Sequence, residues 1–177
     1  SLSSIAGPDV IAVRRQLRFL QAPRLFLRTL GGVAIHRGSW DGPPIPIEKK
    51  RVRMLLAVLA AHFGSVLSRD VAIDILWPDS DPNSAVNSLN QTVFQLRRYI
   101  DPAYRGGESP EYLTSTSEQV GLNADLVHTD LNEIRRLPSR LATADWHDRQ
   151  VLASRAVKLV RGEFLADLRY EDWANRQ

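Results

Sequence analysis

Cysteine is absent from this chain of 177 residues. Disulfides, thiolate zinc sites and cysteine nucleophiles are thereby excluded, and the absence fits a reducing compartment. No run of 18 apolar residues occurs, so no helical membrane span is expected. No secretory signal is visible, and the chain, which opens on Ser1 rather than Met, reads as a piece of a longer protein. A cytoplasmic location without membrane partners is the expectation. Catalytic signatures are missing as well. His36, His62, His128 and His147 share no ligand spacing such as H-E-x-x-H. There is no G-x-x-x-x-G-K-[ST], no G-x-S-x-G and no G-x-G-x-x-G. Gly106-Gly107 lies in a polar loop with no helix start behind it, and pairs such as Asp79/Asp81 read as caps or solvated groups. No enzyme, no metal site and no cofactor are therefore expected.

What remains is an ordinary globular composition, 44% apolar and 24% charged, with enough chain for one domain or two small ones. The net charge of +3 hides an asymmetry. Residues 1–105 carry 14 Lys/Arg against 8 Asp/Glu, whereas residues 106–177 carry 9 against 12. A basic half joined to an acidic half fits a polyanion-binding module with something else attached, though chance would also produce it.

Periodicity orders the chain. Residues 9–21 predict a basic helix, with Val10, Val13, Leu17 and Leu20 along one side and Arg14, Arg15 and Arg18 elsewhere. It either packs on a neighbour or links to an upstream part, with membrane contact the lesser alternative, and Pro23 ends it. Leu25, Leu27 and Ala34 or Ile35 read as short strands around Gly31-Gly32, and "PPIPI" at 43–47 as a further edge strand. Three helices follow. The first runs from about Glu48, with Val52, Leu55, Leu56, Leu59 and Phe63 as its stripe and Gly64 as its cap. Ser68 caps the second, whose Val71, Ile75 and Leu76 point inward, and Asp81 with Pro82 opens the third at 82–100. A hairpin, Tyr112–Thr114 and Val120–Leu122, comes next. Helices then fill Asp130–Leu141, Asp148–Arg161 and a stretch from near Tyr170. Trp77 and Phe63 read as core; Trp146 and Trp173 read as helix-packing anchors.

The third helix has an unusual outer face. Leu89, Val93, Leu96 and Ile100 turn inward, while Asn87, Gln91, Phe94, Gln95 and Arg98 turn outward, with no acid until Asp101. Strands, three helices and a hairpin make a helix-turn-helix with a wing, and in that motif the second helix of the pair enters the major groove. Amides can read adenine, arginine can read guanine, and an aromatic ring can touch a thymine methyl. Asn87, Gln91, Phe94, Gln95 and Arg98 are thus the base-facing candidates. Lys50, Arg53, Arg69, Asn90 and Arg97 are the phosphate candidates. Alternatives stand beside these roles. Arg97 can pair instead with Asp101 at i,i+4, Phe94 can meet a second subunit, and Lys49, Lys50, Arg51 and Arg53 can be a solvated basic turn. The loop Pro78–Asn83 is either a plain turn or a contact for polymerase.

The run RVRMLLAVLAAHFGSVLSRDVAIDILWPDSDPNSAVNSLNQTVFQLRR resembles the DNA-binding domain of the Streptomyces antibiotic regulatory protein (SARP) family. Lys50 to Leu59, Ser68 to Trp77 and Ser88 to Arg98 carry the likeness. The tail AVKLVRGEFLADLRYEDWANRQ is similar to the opening of the bacterial transcriptional activator domain, a tetratricopeptide-like array. The resemblance implies an α+β fold: an OmpR-type winged helix over 24–125 after a linker at 1–23, then the first helices of the activator domain over 126–177. It implies binding to duplex DNA as a head-to-tail pair on direct repeats, recruitment of RNA polymerase, and homo-oligomers. The wing departs from the family pattern. It reads EQVGLN without tyrosine, and Glu118 would repel phosphate, so a wing contact stays open. The competing reading is a winged helix used for protein contacts in a larger signalling protein, its basic face on an acidic partner and Phe94 as anchor.

Overall fold

A computed structural model describes residues 8–104 and 109–166. Its first helix, α1 (Pro8–Gln21), leads into β1 (Leu25–Arg28) and β2 (Ala34–Arg37). Three helices come next: α2 (Lys50–Ala61), then α3 (Arg69–Leu76) directly after the two-residue β3 (Leu67–Ser68), then α4 (Pro82–Ile100). The wing is β4 (Leu113–Ser115) and β5 (Gln119–Leu122); β6 (Val127–Thr129), α5 (Asp130–Thr143) and α6 (Trp146–Leu159) complete the order.

Leu25 and Leu27 alternate with Phe26 along β1 and are fully buried, which fixes the sheet's inner face. β1 pairs antiparallel with β2 (Leu27 opposite Ile35) and parallel with β6 (Leu25 opposite Val127). The second sheet has the order β3-β5-β4. Between them lies α2, buried at Val52 and from Met54 to Ala60, because it is covered on several sides at once. The inner residues of α4, Leu89, Val93, Leu96 and Ile100, pack into the same core. Capping follows the expected chemistry. Ser68 Oγ accepts from Val71 N at 3.2 Å, and Asp81 Oδ2 from Ser84 N at 3.0 Å.

Several expectations are corrected. The segment 43–47 forms no strand; it touches β2 through one bridge, His36 to Pro44, and the Ile45 N–H donation to Ile35 O at 2.8 Å. Three prolines leave it too few donors for a ladder. On α3 the buried residues are Ala72 and Leu76, while Val71 is exposed, since the i,i+4 pair that meets the core begins one residue later. The apolar side of α1 faces solvent, with Leu20 70% exposed; the helix is held instead through Phe19 and Ala22. β3 and β6 were not expected, and β6 joins the first sheet although it lies past residue 125. The helix expected near Tyr170, and Trp173 with it, lie outside the described residues.

The helical continuation is tied to the first sheet at both ends. Asp130, fully buried at the start of α5, accepts from Thr29 N (2.8 Å), Leu30 N (2.9 Å) and the Thr29 hydroxyl (2.6 Å). After α6 the chain returns. Leu165 N donates to Thr29 O at 2.7 Å, Gly31 N donates to Glu163 O at 2.9 Å, and Leu165 is fully buried. Gly31, at φ +95°, and Gly162 meet closely: a Cβ on Gly162 would lie 3.1 Å from Gly31 Cα, tighter than ordinary van der Waals contact.

Candidate nucleic-acid interface

α4 presents its ridge because two supports hold it from behind. Ala85, Leu89, Thr92, Val93, Leu96 and Ile100 are buried, and the opposite side is open. Asn87, Gln91, Phe94 and Arg98 are exposed and recur at intervals of three and four along that open side; Gln95 is half-buried at its edge. Phe94 is 54% exposed, and its ring meets Tyr104 edge-on with centroids 6.4 Å apart. No Asp or Glu lies within α4, and Arg97 and Arg98 occupy its last turn. Asn83, also exposed, sits four residues before Asn87 on the same stripe and was missed. The period of four was the available signal, masked by its place beside the Pro82 cap.

Arg69 joins the elements of this face. From the start of α3 its guanidinium donates to Ser115 Oγ in β4 at 3.2 Å and to the Asn90 side-chain oxygen in α4. Its backbone N–H donates to Glu118 O at the wing turn, 2.9 Å away. One arginine thus ties α3, α4 and the wing together, and it is only half-buried. The wing turn is tight: Thr116 N donates to Gln119 O (2.9 Å), and Thr116 Oγ1 accepts from Gln119 N (3.1 Å). Thr116, Ser117, Glu118 and Gln119 are exposed at its tip.

The other basic residues divide. Lys50 is exposed at the start of α2. Arg51, its neighbour, donates to Leu76 O and lies 5.9 Å from the Trp77 ring centroid, so it caps the end of α3. Arg53 lines a cavity with Val33, Ile35, Ile45 and Leu56, its Nε buried without a hydrogen-bond partner, on the β2 side of α2. Arg97 does not pair with Asp101: among the described residues no ion pair joins them. Its guanidinium lies 5.6 Å from the Tyr104 ring centroid and donates to Leu113 O at 3.5 Å. Asn90 and Arg69 are therefore together, Arg97 leans on the wing's base, and Lys50 and Arg53 lie apart from both. Among the described residues no group of three or more His, Asp or Glu could hold a metal ion. No described helix is long and apolar enough to cross a membrane.

An antiparallel wing packed beside a three-helix unit, entered from an N-terminal sheet and followed by a helical hairpin, defines a winged-helix protein with a helical continuation. Within that class the chain is SARP-like. It is 28% identical over 149 residues to the regulatory protein DnrI of Streptomyces peucetius, covering 80% of this chain and 54% of DnrI. In fold it is similar to EmbR of Mycobacterium tuberculosis, whose structure was solved in complex with a low-affinity phosphopeptide. The TM-score is 0.67 at 24% identity, over 87% of this chain and 40% of EmbR. No family model matches the chain. The chain thus spans about half the length of DnrI and less of EmbR; the relative it resembles in sequence is a bacterial regulatory protein.

Proposed function

We propose that this chain is the DNA-binding part of a bacterial transcription regulator and that α4 reads duplex DNA in the major groove. One observation carries the reading: a 19-residue helix without a single acid turns an open row of Asn, Gln and Arg outward. A solvated face has no need of that composition, whereas base edges do. Asn87, Gln91, Phe94, Gln95 and Arg98 make the base-reading row, extended by Asn83. Arg69, Asn90 and Lys50 approach phosphates. Arg53 is left out of that set, because it lines a cavity on the sheet side of α2 with its Nε buried. Arg97 is retained only as support for the wing. The similarity to the regulatory protein DnrI supports a regulatory role; a cytoplasmic location, binding as a pair on direct repeats and polymerase as a further partner belong to the same proposal.

The test is selection of bound sequences from a random duplex pool, followed by salt titration on the winner. Recovery of a defined site, with a log–log salt slope of roughly −4 to −5 from about 4–6 neutralised phosphates, is expected. A pool that never enriches, with no binding to random duplex even at low salt, would rule the reading out. It would favour the second reading, for which Phe94, 54% exposed, is the specific observation: a protein partner anchored on that ring.

A further inference from the structure

Under the strap of residues 43–47 lies a half-open cavity of about 210 Å³. At about 30 Å³ for each water-sized group it has room for roughly seven, fewer than a drug-sized ligand needs. Three surfaces enclose it: β2 with Ile35, the strap with Ile45 and Ile47, and α2 with Arg53 and Leu56. The strap is stiff and pinned. Pro43, Pro44 and Pro46 limit its backbone, the Ile45 N–H donates to Ile35 O at 2.8 Å, and Arg37 N donates to Pro43 O at 3.2 Å. The space beneath it is thus built into the fold.

Every wall residue except Arg53 is aliphatic or proline. Arg53 is half-buried. Its Nε is sealed off without an acceptor, whereas its two terminal nitrogens remain open; none of the three has a hydrogen bond or ion pair among the described residues. A guanidinium in an apolar enclosure has given up hydration with nothing returned. An anion at the open terminal nitrogens restores it, and the fork of those two groups matches a carboxylate. Arg53 is also the fourth residue of α2, at the helix's positive end, and the first turn carries no acid.

We propose that this cavity binds a small carboxylic acid with an apolar body of about five to seven carbons, its carboxylate on Arg53 and its body between Ile35, Ile47 and Leu56. Neither half suffices alone. A bare anion leaves the aliphatic walls wetted, and an alcohol leaves the guanidinium unanswered; an acid of this size displaces weakly held water and pairs the charge together. The site does not rest on the DNA-binding reading.

The experiment is titration of the chain, without DNA, with hexanoate, benzoate, acetate and 1-hexanol, each raised to about 10 mM and followed in ¹H–¹⁵N spectra. Hexanoate or benzoate should bind with a Kd of about 0.1–1 mM, in keeping with so few heavy atoms, and acetate and hexanol at least about tenfold more weakly. Shifts should centre on Ile35, Ile47, Arg53 and Leu56. Arg53 has no internal partner to lose, so Arg53→Met should fold normally, weaken hexanoate at least about tenfold and leave hexanol unchanged. Arg53→Lys, which keeps the charge, should retain more of the affinity than Arg53→Met. Acetate binding as tightly as hexanoate would overturn the apolar half, and hexanol doing so would overturn the carboxylate. No binding across the panel, shifts centred elsewhere, or unchanged hexanoate binding to Arg53→Met would overturn the site. Should Arg53→Met not fold, the comparison of ligands on the parent chain still decides.

Discussion

Replacing Asp130 with alanine should destabilise the fold by about 3–4 kcal/mol. Its partners set that magnitude. Oδ2 accepts from two backbone donors, Thr29 N at 2.8 Å and Leu30 N at 2.9 Å; Oδ1 accepts from the Thr29 hydroxyl at 2.6 Å and Leu131 N at 2.8 Å. Alanine orphans Thr29 N at a buried place and Leu30 N at a partly buried one, at about 1–3 kcal/mol for the first and toward the lower end of that range for the second. The Thr29 hydroxyl can rotate, and Leu131 N is only partly buried, so these add less. Removing the charge also returns its desolvation cost, which trims the total. Asparagine is the informative control. Its amide oxygen can keep both backbone donors, and its NH₂ can donate to the Thr29 hydroxyl oxygen; only Leu131 N is left over, at about 1–2 kcal/mol. Urea unfolding followed by tryptophan fluorescence, with m compared between variants, measures both. An alanine variant within about 1 kcal/mol of the parent would refute the reasoning, as would an asparagine variant that is equally damaged.

Other outcomes follow from the same geometry. Arg98→Ala should cost about 1–3 kcal/mol on the selected site and relax preference at one base pair, whereas Lys50→Ala should weaken specific and random duplex alike; equal losses on both duplexes for Arg98→Ala contradict its role. Burial lowers the His128 pKa from its ordinary imidazole value, with the Glu133 carboxylate opposing the shift. The unfolded chain therefore takes up that proton first as pH falls. The stabilising contribution is complete above about pH 6.5 and is lost as pH drops through the folded value. His128→Phe, which keeps the stack on Phe26 (centroids 5.1 Å apart), should flatten the fall in urea midpoint between neutral and mildly acid buffer; an unchanged fall counts against this assignment. Gly31→Ala should cost upwards of about 1 kcal/mol, because φ is +95° and the new Cβ would press on the Arg161 backbone at 3.1 Å; an unaltered urea midpoint would contradict the contact.

The winged-helix plan was legible because its signals are local. Ser68 and Asp81 name their helices' first residues, and the 3.6-residue period of Leu89, Val93, Leu96 and Ile100 names the buried side of α4, and hence its open one. β3 and β6 were not legible, since strands of two and three residues exist only where a partner strand offers its edge: β5 to Leu67–Ser68, and β1 to Val127–Thr129. The same applies to basic residues. Lys50, Arg51 and Arg53 look alike in the sequence; what separates them is that Leu76 O lies within reach of one and the inner side of β2 beside another. Arg97 and Asp101 have ideal spacing for a pair, yet Tyr104 and Leu113 O, contributed by the wing's approach, compete for the cation.

The return of residues 163–165 to Thr29 and Gly31 closes α5 and α6 into a handle fixed at both ends to the turn that follows β1, the central strand of the first sheet. A hinge would need one loose end, and this handle has none among the described residues. A twist applied through the chain past Ala166 therefore reaches β1 before it can flex α6. The setting of the α5–α6 hairpin on the first sheet is therefore built in at folding.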